Sequence, residues 1–235
     1  MICYVDLTSP TAEWLVAARA VPDDRAAAAR HGLTRRRHQS LTVRALARAM
    51  LSAESGIPHS AWRFVEGPHG APVSAVTGSV ERSLSFAHSA AMVACAIARH
   101  GPIGLDVELM RPDRSILDLA RAAFGPAEIG DVEKYGTPSF YSVWVRREAM
   151  AKATGQGFGL LVNQENLILP AIDGLPNRLS LGSTIWQTRF WTIDEAYAIG
   201  FAQKEPLDGS TTPIPRLFQL AEGPARSIRD RSARS

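Results

Sequence analysis

Two helical segments of similar make-up, each closed by glycine and each followed by a strand-and-turn pattern, constrain this chain more than any other feature of its sequence. From Leu33 to Ser55, the residues Leu41, Ala45, Ala49 and Leu46, Met50 recur at three- and four-residue steps, while Arg44 and Arg48 line another face. Gly56 and Pro58 end that helix. Trp62 to Glu66 then reads as a short strand, Gly67-Pro68-His69-Gly70 as a turn, and Ser83 to Phe86 with Met92 to Arg99 as a hairpin. The order then repeats. Ser139 to Thr154 reads as a helix ended by Gly155-Gln156-Gly157, followed by Leu160 to Leu169 and a hairpin-like pair, Gln187 to Ile193 and Tyr197 to Gln203.

A faint echo accompanies the repeated order. Val43–Arg48 lies 102 residues before Val145–Met150, and Ala91–Ala94 lies 105 residues before Ala196–Ile199. Two matches at nearly one offset suggest internal duplication. The expected fold is therefore α+β, a pseudo-twofold duplication of two similar lobes with the active site in the cleft between them. The expected boundaries are residues 1–101 for the first lobe, 102–205 for the second, which carries the metal site, and 206–235 for a largely disordered extension. The extension is expected to be solvated because the run after Pro224 is rich in Ser and Arg and poor in apolar residues.

Composition excludes several classes. With 235 residues, 46% of them hydrophobic, the chain can bury a sizeable core. Its longest apolar stretch, Ala90 to Ala98, is too short to span a bilayer. Met1 to Pro10 holds Asp6 and no basic residue ahead of an apolar run, so it does not read as a secretory signal and a cytoplasmic setting is expected. Cys3 and Cys95 stand far apart without metal-ligand spacing and read as buried thiols. The net charge of +3 is a mild excess whose distribution matters more than its total, and neither nucleic acid nor a membrane is expected as a partner.

The chemistry sits in three places. Ile103-Gly104-Leu105-Asp106-Val107-Glu108-Leu109 alternates with period two, a strand pattern that puts Asp106 and Glu108 on one face, within reach of a common cation. Two hard oxygen ligands favour Mg2+ or Mn2+. Trp144, Glu148 and Lys152 follow at i, i+4 and i+8 and share a helix face. His88 and Ser89 follow Phe86-Ala87. Each has an ordinary alternative: an exposed strand face, a surface ion pair, a turn histidine.

Together these segments resemble the 4'-phosphopantetheinyl transferase superfamily, whose signature is a G-[IV]-D-x-E strand followed some forty residues later by W-x-x-K-E-[AS]-x-x-K. The resemblance runs from about Arg35 to Phe158, and more loosely to Gln203. It is nearest to the monomeric, surfactin-synthetase-activating subfamily, a pseudodimer with coenzyme A in its cleft. The resemblance implies that Asp106, Glu108 and Glu148 hold Mg2+ against the coenzyme A pyrophosphate. It also implies that Lys152 stands near the transferring phosphate as a catalytic and cofactor-binding residue, and that Glu148 helps deprotonate the attacking serine. His88 and Ser89 match the segment that contacts coenzyme A phosphates. Arg36, in the basic run Arg35–Arg37, falls where relatives place basic side chains over the nucleotide phosphates. The implied activity is transfer of phosphopantetheine to a serine of an apo acyl or peptidyl carrier protein, of the holo-acyl-carrier-protein synthase type, by a monomer.

Two departures accompany the match. Ala71 stands where the family commonly has a lysine at the adenosine end of coenzyme A, and Arg147 replaces the lysine before the glutamate. Two other readings stay open. One is a metal-dependent phosphohydrolase or nuclease, weakened by the lack of a second acidic motif and of GxxxxGK[ST]. The other is a degenerate relative that binds coenzyme A or a carrier protein without turnover.

Overall fold

The computed structural model of the protein describes residues 1–67, 72–157, 177–205 and 217–219. The chain divides into two compact units, one running from Met1 to His100 and taking in the strand at Leu217–Gln219, the other beginning at Gly101.

The first unit opens with β1 (Ile2–Asp6), continues through α1 (Pro10–Arg19), α2 (Pro22–Ala29) and α3 (Thr34–Ser55), and ends in β2 (Arg63–Glu66), β3 (Pro72–Thr77), β4 (Val80–Ser89) and β5 (Met92–Ala98). The second repeats this order. Its elements are β6 (Ile103–Leu109), α4 (Ile116–Ala123), α5 (Pro126–Tyr135), α6 (Thr137–Thr154), β7 (Asn177–Leu181), β8 (Thr184–Ile193) and β9 (Tyr197–Lys204). In both, consecutive strands form an antiparallel meander and the opening strand returns to pair with the last one, giving β1-β5-β4-β3-β2 and β6-β9-β8-β7. The first sheet gains β10 (Leu217–Gln219), parallel to β1. That strand lies within the stretch expected to be a solvated extension, and the rest of that stretch lies outside the described residues. So does the strand expected over Leu160 to Leu169.

The repeat reaches individual side chains. Both α3 and α6 end on a left-handed glycine, Gly56 at φ +73° and Gly155 at φ +70°, a conformation that costs glycine nothing sterically. Eight residues before each glycine stands a buried arginine, Arg48 and Arg147. Arg48 donates to both oxygens of Asp24 at 2.6 and 3.1 Å. Arg147 pairs in the same way with Glu128, one contact being 3.2 Å. Asp24 and Glu128 are each the third residue of a short helix that starts with proline, and each also accepts the backbone N–H that precedes that helix, at 3.1 Å from Val21 and 2.9 Å from Gly125. These shared features set the long helices in register 99 residues apart, Arg48 on Arg147, rather than the 102 suggested by Val43 and Val145. Ala-rich helices agree locally in several registers, whereas a buried ion pair agrees in one.

In the first unit α3 packs on Cys3, Val5, Leu84, Val93, Cys95 and Ile97 through Val43, Leu46, Met50 and Leu51. In the second, α4 and α5 pack on α6 through Phe124, Phe140, Tyr141 and Trp144. Phe140 stacks between Phe124 and Trp144, with centroid distances of 5.4 and 5.5 Å. Among the described residues, no helix is long and apolar enough to cross a membrane.

Candidate active site

The site is built where α6 lies on β6 and β9. Alternation along β6 puts Gly104, Asp106 and Glu108 on one face. Their partners across the β6–β9 ladder are Ala202, Gly200 and Ala198. Small residues thus surround the two carboxylates, and α6 comes close. A Cβ on Gly104 would lie 1.8 Å from the carbonyl oxygen of Ala149, and one on Gly200 would lie 2.2 Å from that of Val145. Neither glycine has a positive φ, so both are required by space and not by backbone conformation.

That approach lets α6 deliver its charged face. Lys152 Nζ donates to Asp106 Oδ1 at 2.8 Å and to the Leu105 carbonyl at 2.8 Å. Asp106 is buried, and its Oδ2 finds no hydrogen-bond partner among the described residues, although the Val107 amide draws on the carboxylate. Burial pushes the Asp106 carboxyl above its ordinary range against the pull of Lys152. Glu148, half-buried on α6, is raised as well, first by burial, then by the negative charge of Asp106, with Glu108 adding to it and Lys152 opposing. Glu148 therefore lies in the combined field of Asp106, Glu108 and Lys152.

Among the described residues, no set of three or more His, Cys, Asp or Glu is drawn together tightly enough to hold a metal ion. The donor chemistry nevertheless suits a hard divalent cation. Asp106 is bonded to Lys152, Glu148 lies in the field of both and of Glu108, and the Asp106 oxygen without a partner among the described residues is a buried acceptor that such an ion would satisfy.

In the first unit the structure brings together Arg36 and His88. Arg36, in the first turn of α3, places Nη1 2.9 Å from Nδ1 and 2.7 Å from Nε2 of His88 on β4. Ser89 is the last residue of β4. Gln39 ties the same helix end to the following turn by donating to the Ala90 carbonyl at 3.0 Å. Both Arg36 and His88 are exposed, a cationic and hydrogen-bonding pair open to an anion.

The Arg147 departure has a structural account. Its guanidinium is turned onto α5 and α4, donating to Glu128 and to the Ala123 carbonyl at 3.4 Å and lying over the Phe124 ring at 5.4 Å. Ala71 lies outside the described residues. Sequence reasoning missed Gly200 and the reason for Gly104. The available signal was the period-two run of small residues Ala198, Gly200, Ala202 opposite the carboxylate strand.

Residues 102–202, which span this site, match the 4'-phosphopantetheinyl transferase superfamily. The protein slr0495 of Synechocystis, provisionally named a 4'-phosphopantetheinyl transferase, is 30% identical over 128 residues, 53% of this chain and 52% of that protein. The 4'-phosphopantetheinyl transferase HetI of Nostoc is 28% identical over 163 residues, 66% of this chain and 68% of HetI. AcpT of Salmonella typhimurium, also a 4'-phosphopantetheinyl transferase, is 27% identical over 113 residues, 46% of this chain and 58% of AcpT. The matched part of the chain thus spans about half the length of slr0495 and of AcpT, and two thirds of HetI. It is through this segment that the chain is similar to the 4'-phosphopantetheinyl transferase superfamily.

Proposed function

We propose that the protein transfers 4'-phosphopantetheine from coenzyme A to a serine hydroxyl of an apo acyl or peptidyl carrier protein, acting as a monomer of the holo-acyl-carrier-protein synthase type. The observation that carries this reading is the charged group on α6 and β6, where Lys152 is bonded to Asp106 and Glu148 stands in the field of Asp106 and Glu108.

In this reading Asp106, Glu108 and Glu148 hold Mg2+, which when bound neutralises pyrophosphate charge and stabilises the leaving phosphate. Arg36, His88 and Ser89 bind coenzyme A phosphates and fix the substrate. Glu148 accepts the serine proton, a role for which a half-buried, raised carboxyl is better suited than an exposed one. The serine oxygen then forms its bond to the phosphorus of the pantetheine-bearing phosphate. The pyrophosphate bond breaks, and adenosine 3',5'-bisphosphate departs with its electron pair. Lys152, whose ammonium is already fixed at this carboxylate, offsets the charge that develops on the transferring group.

Intact-protein mass spectrometry of apo acyl and peptidyl carrier proteins, incubated with the chain, coenzyme A and Mg2+ beside an EDTA control, tests the reading. A phosphopantetheine mass gain only with metal is expected. No gain on any carrier would sink it and, with coenzyme A still bound, would favour the binding module that Ala71 suggests.

A further inference from the structure

We infer that Gly200 is a positioning residue for the reaction: by carrying no Cβ opposite Asp106, it lets the α6 backbone rest on β9 at the depth that sets Glu148 and Lys152 over the carboxylates. The inference rests on the transferase reading above.

Gly200 is the ladder partner of Asp106, so the two occupy one step of the sheet on the face that α6 covers. The three atoms nearest a Cβ there would all be backbone, 2.2 Å to the Val145 oxygen, 2.4 Å to the Val145 carbonyl carbon and 2.8 Å to the Arg146 nitrogen. No side chain can swing aside to make room. Gly104 repeats the contact one helical turn further on, where a Cβ would lie 1.8 Å from the Ala149 oxygen and 2.8 Å from the Ala153 nitrogen, between the two ends of a helix hydrogen bond. The two glycines, one on each strand, are the points on which α6 is seated.

Restoring ordinary contact distance at Gly200 requires α6 to lift by about 1 Å. Lys152 can follow such a shift, because four methylenes give its ammonium room to reach Asp106. Glu148 has a shorter stem and sits on the turn just past Val145, so its carboxylate leaves with the helix. Displacement by about 1 Å is the scale at which reactions lose on the order of 100-fold in rate, and loss of supporting contacts weakens metal sites by about 10–100-fold. Arg36, His88 and Ser89 belong to the other unit and keep their hold on coenzyme A, so at saturating metal the coenzyme A KM should change far less than kcat.

The test compares the full-length wild type with Gly200→Ala, measuring Mn2+ affinity by electron paramagnetic resonance without coenzyme A, then kcat and the coenzyme A KM. Circular dichroism melts check folding. For Gly200→Ala the expected result is a folded protein with Mn2+ affinity at least about tenfold weaker and kcat about 100-fold lower, the KM staying within about threefold. Gly130→Ala serves as control. Gly130 is exposed on α5 with open space around its Cβ position, and its substitution should raise the melting temperature and leave the other readouts unchanged. A folded Gly200→Ala protein with wild-type Mn2+ affinity and kcat overturns the inference, because a purely structural role lowers only the melting temperature. Should Gly200→Ala not fold, Ala198→Val takes its place, adding two methyls on the same face opposite Glu108. Unchanged Mn2+ affinity in that variant is equally fatal. A wild type that transfers nothing to any carrier refutes the transferase reading itself, whereas transfer by the wild type and by Gly200→Ala alike refutes the positioning role alone.

Discussion

The two units place the same helix on the same sheet and put different chemistry between them. Under α3, the paired residues of the opening and closing strands are Cys3 with Cys95 and Val5 with Val93. Under α6, the equivalent pairs are Asp106 with Gly200 and Glu108 with Ala198. On the helices, the register set by Arg48 and Arg147 puts Ala49 and Ala53 where the second unit has Glu148 and Lys152. One unit fills its helix-sheet seam with apolar side chains and gains stability from their burial. The other replaces them with carboxylates and small residues, spending some of that stability on a charged group held at close range. What both keep is the buried arginine pair, behind the helix in each case, so the brace belongs to the fold and the charged seam to the second unit alone.

If the brace belongs to the fold, removing either copy should cost alike. Arg48→Met leaves Asp24 buried and unpaired, and Arg147→Met does the same to Glu128, with side-chain exposures of only 1% and 2% for the two carboxylates. Each substitution is expected to destabilise the protein by about 3–5 kcal/mol in urea or thermal melts. Each loss includes bonds to backbone carbonyls, from Arg48 to His59 and Trp62 at 2.9 and 2.6 Å and from Arg147 to Ala123 at 3.4 Å. Arg147→Lys, which introduces the family's usual residue, keeps the charge but loses the fork and should cost less than Arg147→Met. A brace variant that melts like wild type would break the comparison at its root.

The next effect concerns the seam. Asp106→Cys copies the residue that the first unit uses at this step, and it should lower kcat by about 100-fold or more. It should change the melting temperature less than a brace variant does, because the partner left behind, Lys152, is about a third exposed and can be solvated, while the burial cost of the Asp106 charge is removed. Wild-type turnover in Asp106→Cys would remove this carboxylate from the chemistry. Lys152→Ala is expected to have a smaller and divided effect. It frees Asp106 Oδ1 from its ammonium, so Mn2+ binding should hold or tighten while kcat falls by about tenfold or more. A fall in both would make Lys152 a support of the metal site and not a partner of the phosphate.

The sequence made parts of this arrangement legible and concealed others for physical reasons. The expected spans Leu33 to Ser55, Ser139 to Thr154 and Ile103 to Leu109 return as α3, α6 and β6, because long helices and a clean two-residue alternation carry strong periodic signals. The helices α1, α2, α4 and α5 went unread. They run only 8 to 10 residues, and two of them start after Val21 and Gly125, residues with no capping side chain, the N-terminal N–H being met instead by a carboxylate three residues on. Of the candidate site, spacing put Asp106 with Glu108 on one strand face and Glu148 with Lys152 on one helix face, and the family resemblance joined the two. Gly200 did not, because what requires a glycine there is the backbone of Val145, far away in sequence.

The smallest effect lies at an end of α3 that the second unit does not copy. Glu54 accepts from Arg82 Nε at 3.0 Å and from Arg99 Nε at 2.8 Å, whereas the matching position on α6 is Ala153. Burial works to raise the Glu54 carboxyl, but the two guanidinium groups outweigh it and hold the carboxyl below its ordinary value of 4.5. A carboxyl depressed by folding contributes stability that is fully present above its unfolded pKa and is lost as pH falls through its folded one. Because Arg99 is mostly exposed, the contribution should be about 1 kcal/mol and screened by salt. Melts of wild type and Glu54→Gln should therefore differ by a constant amount between pH 7 and about pH 5, and converge only below the ordinary carboxylate value. Convergence already at pH 6 would mean that a histidine, not Glu54, sets the difference.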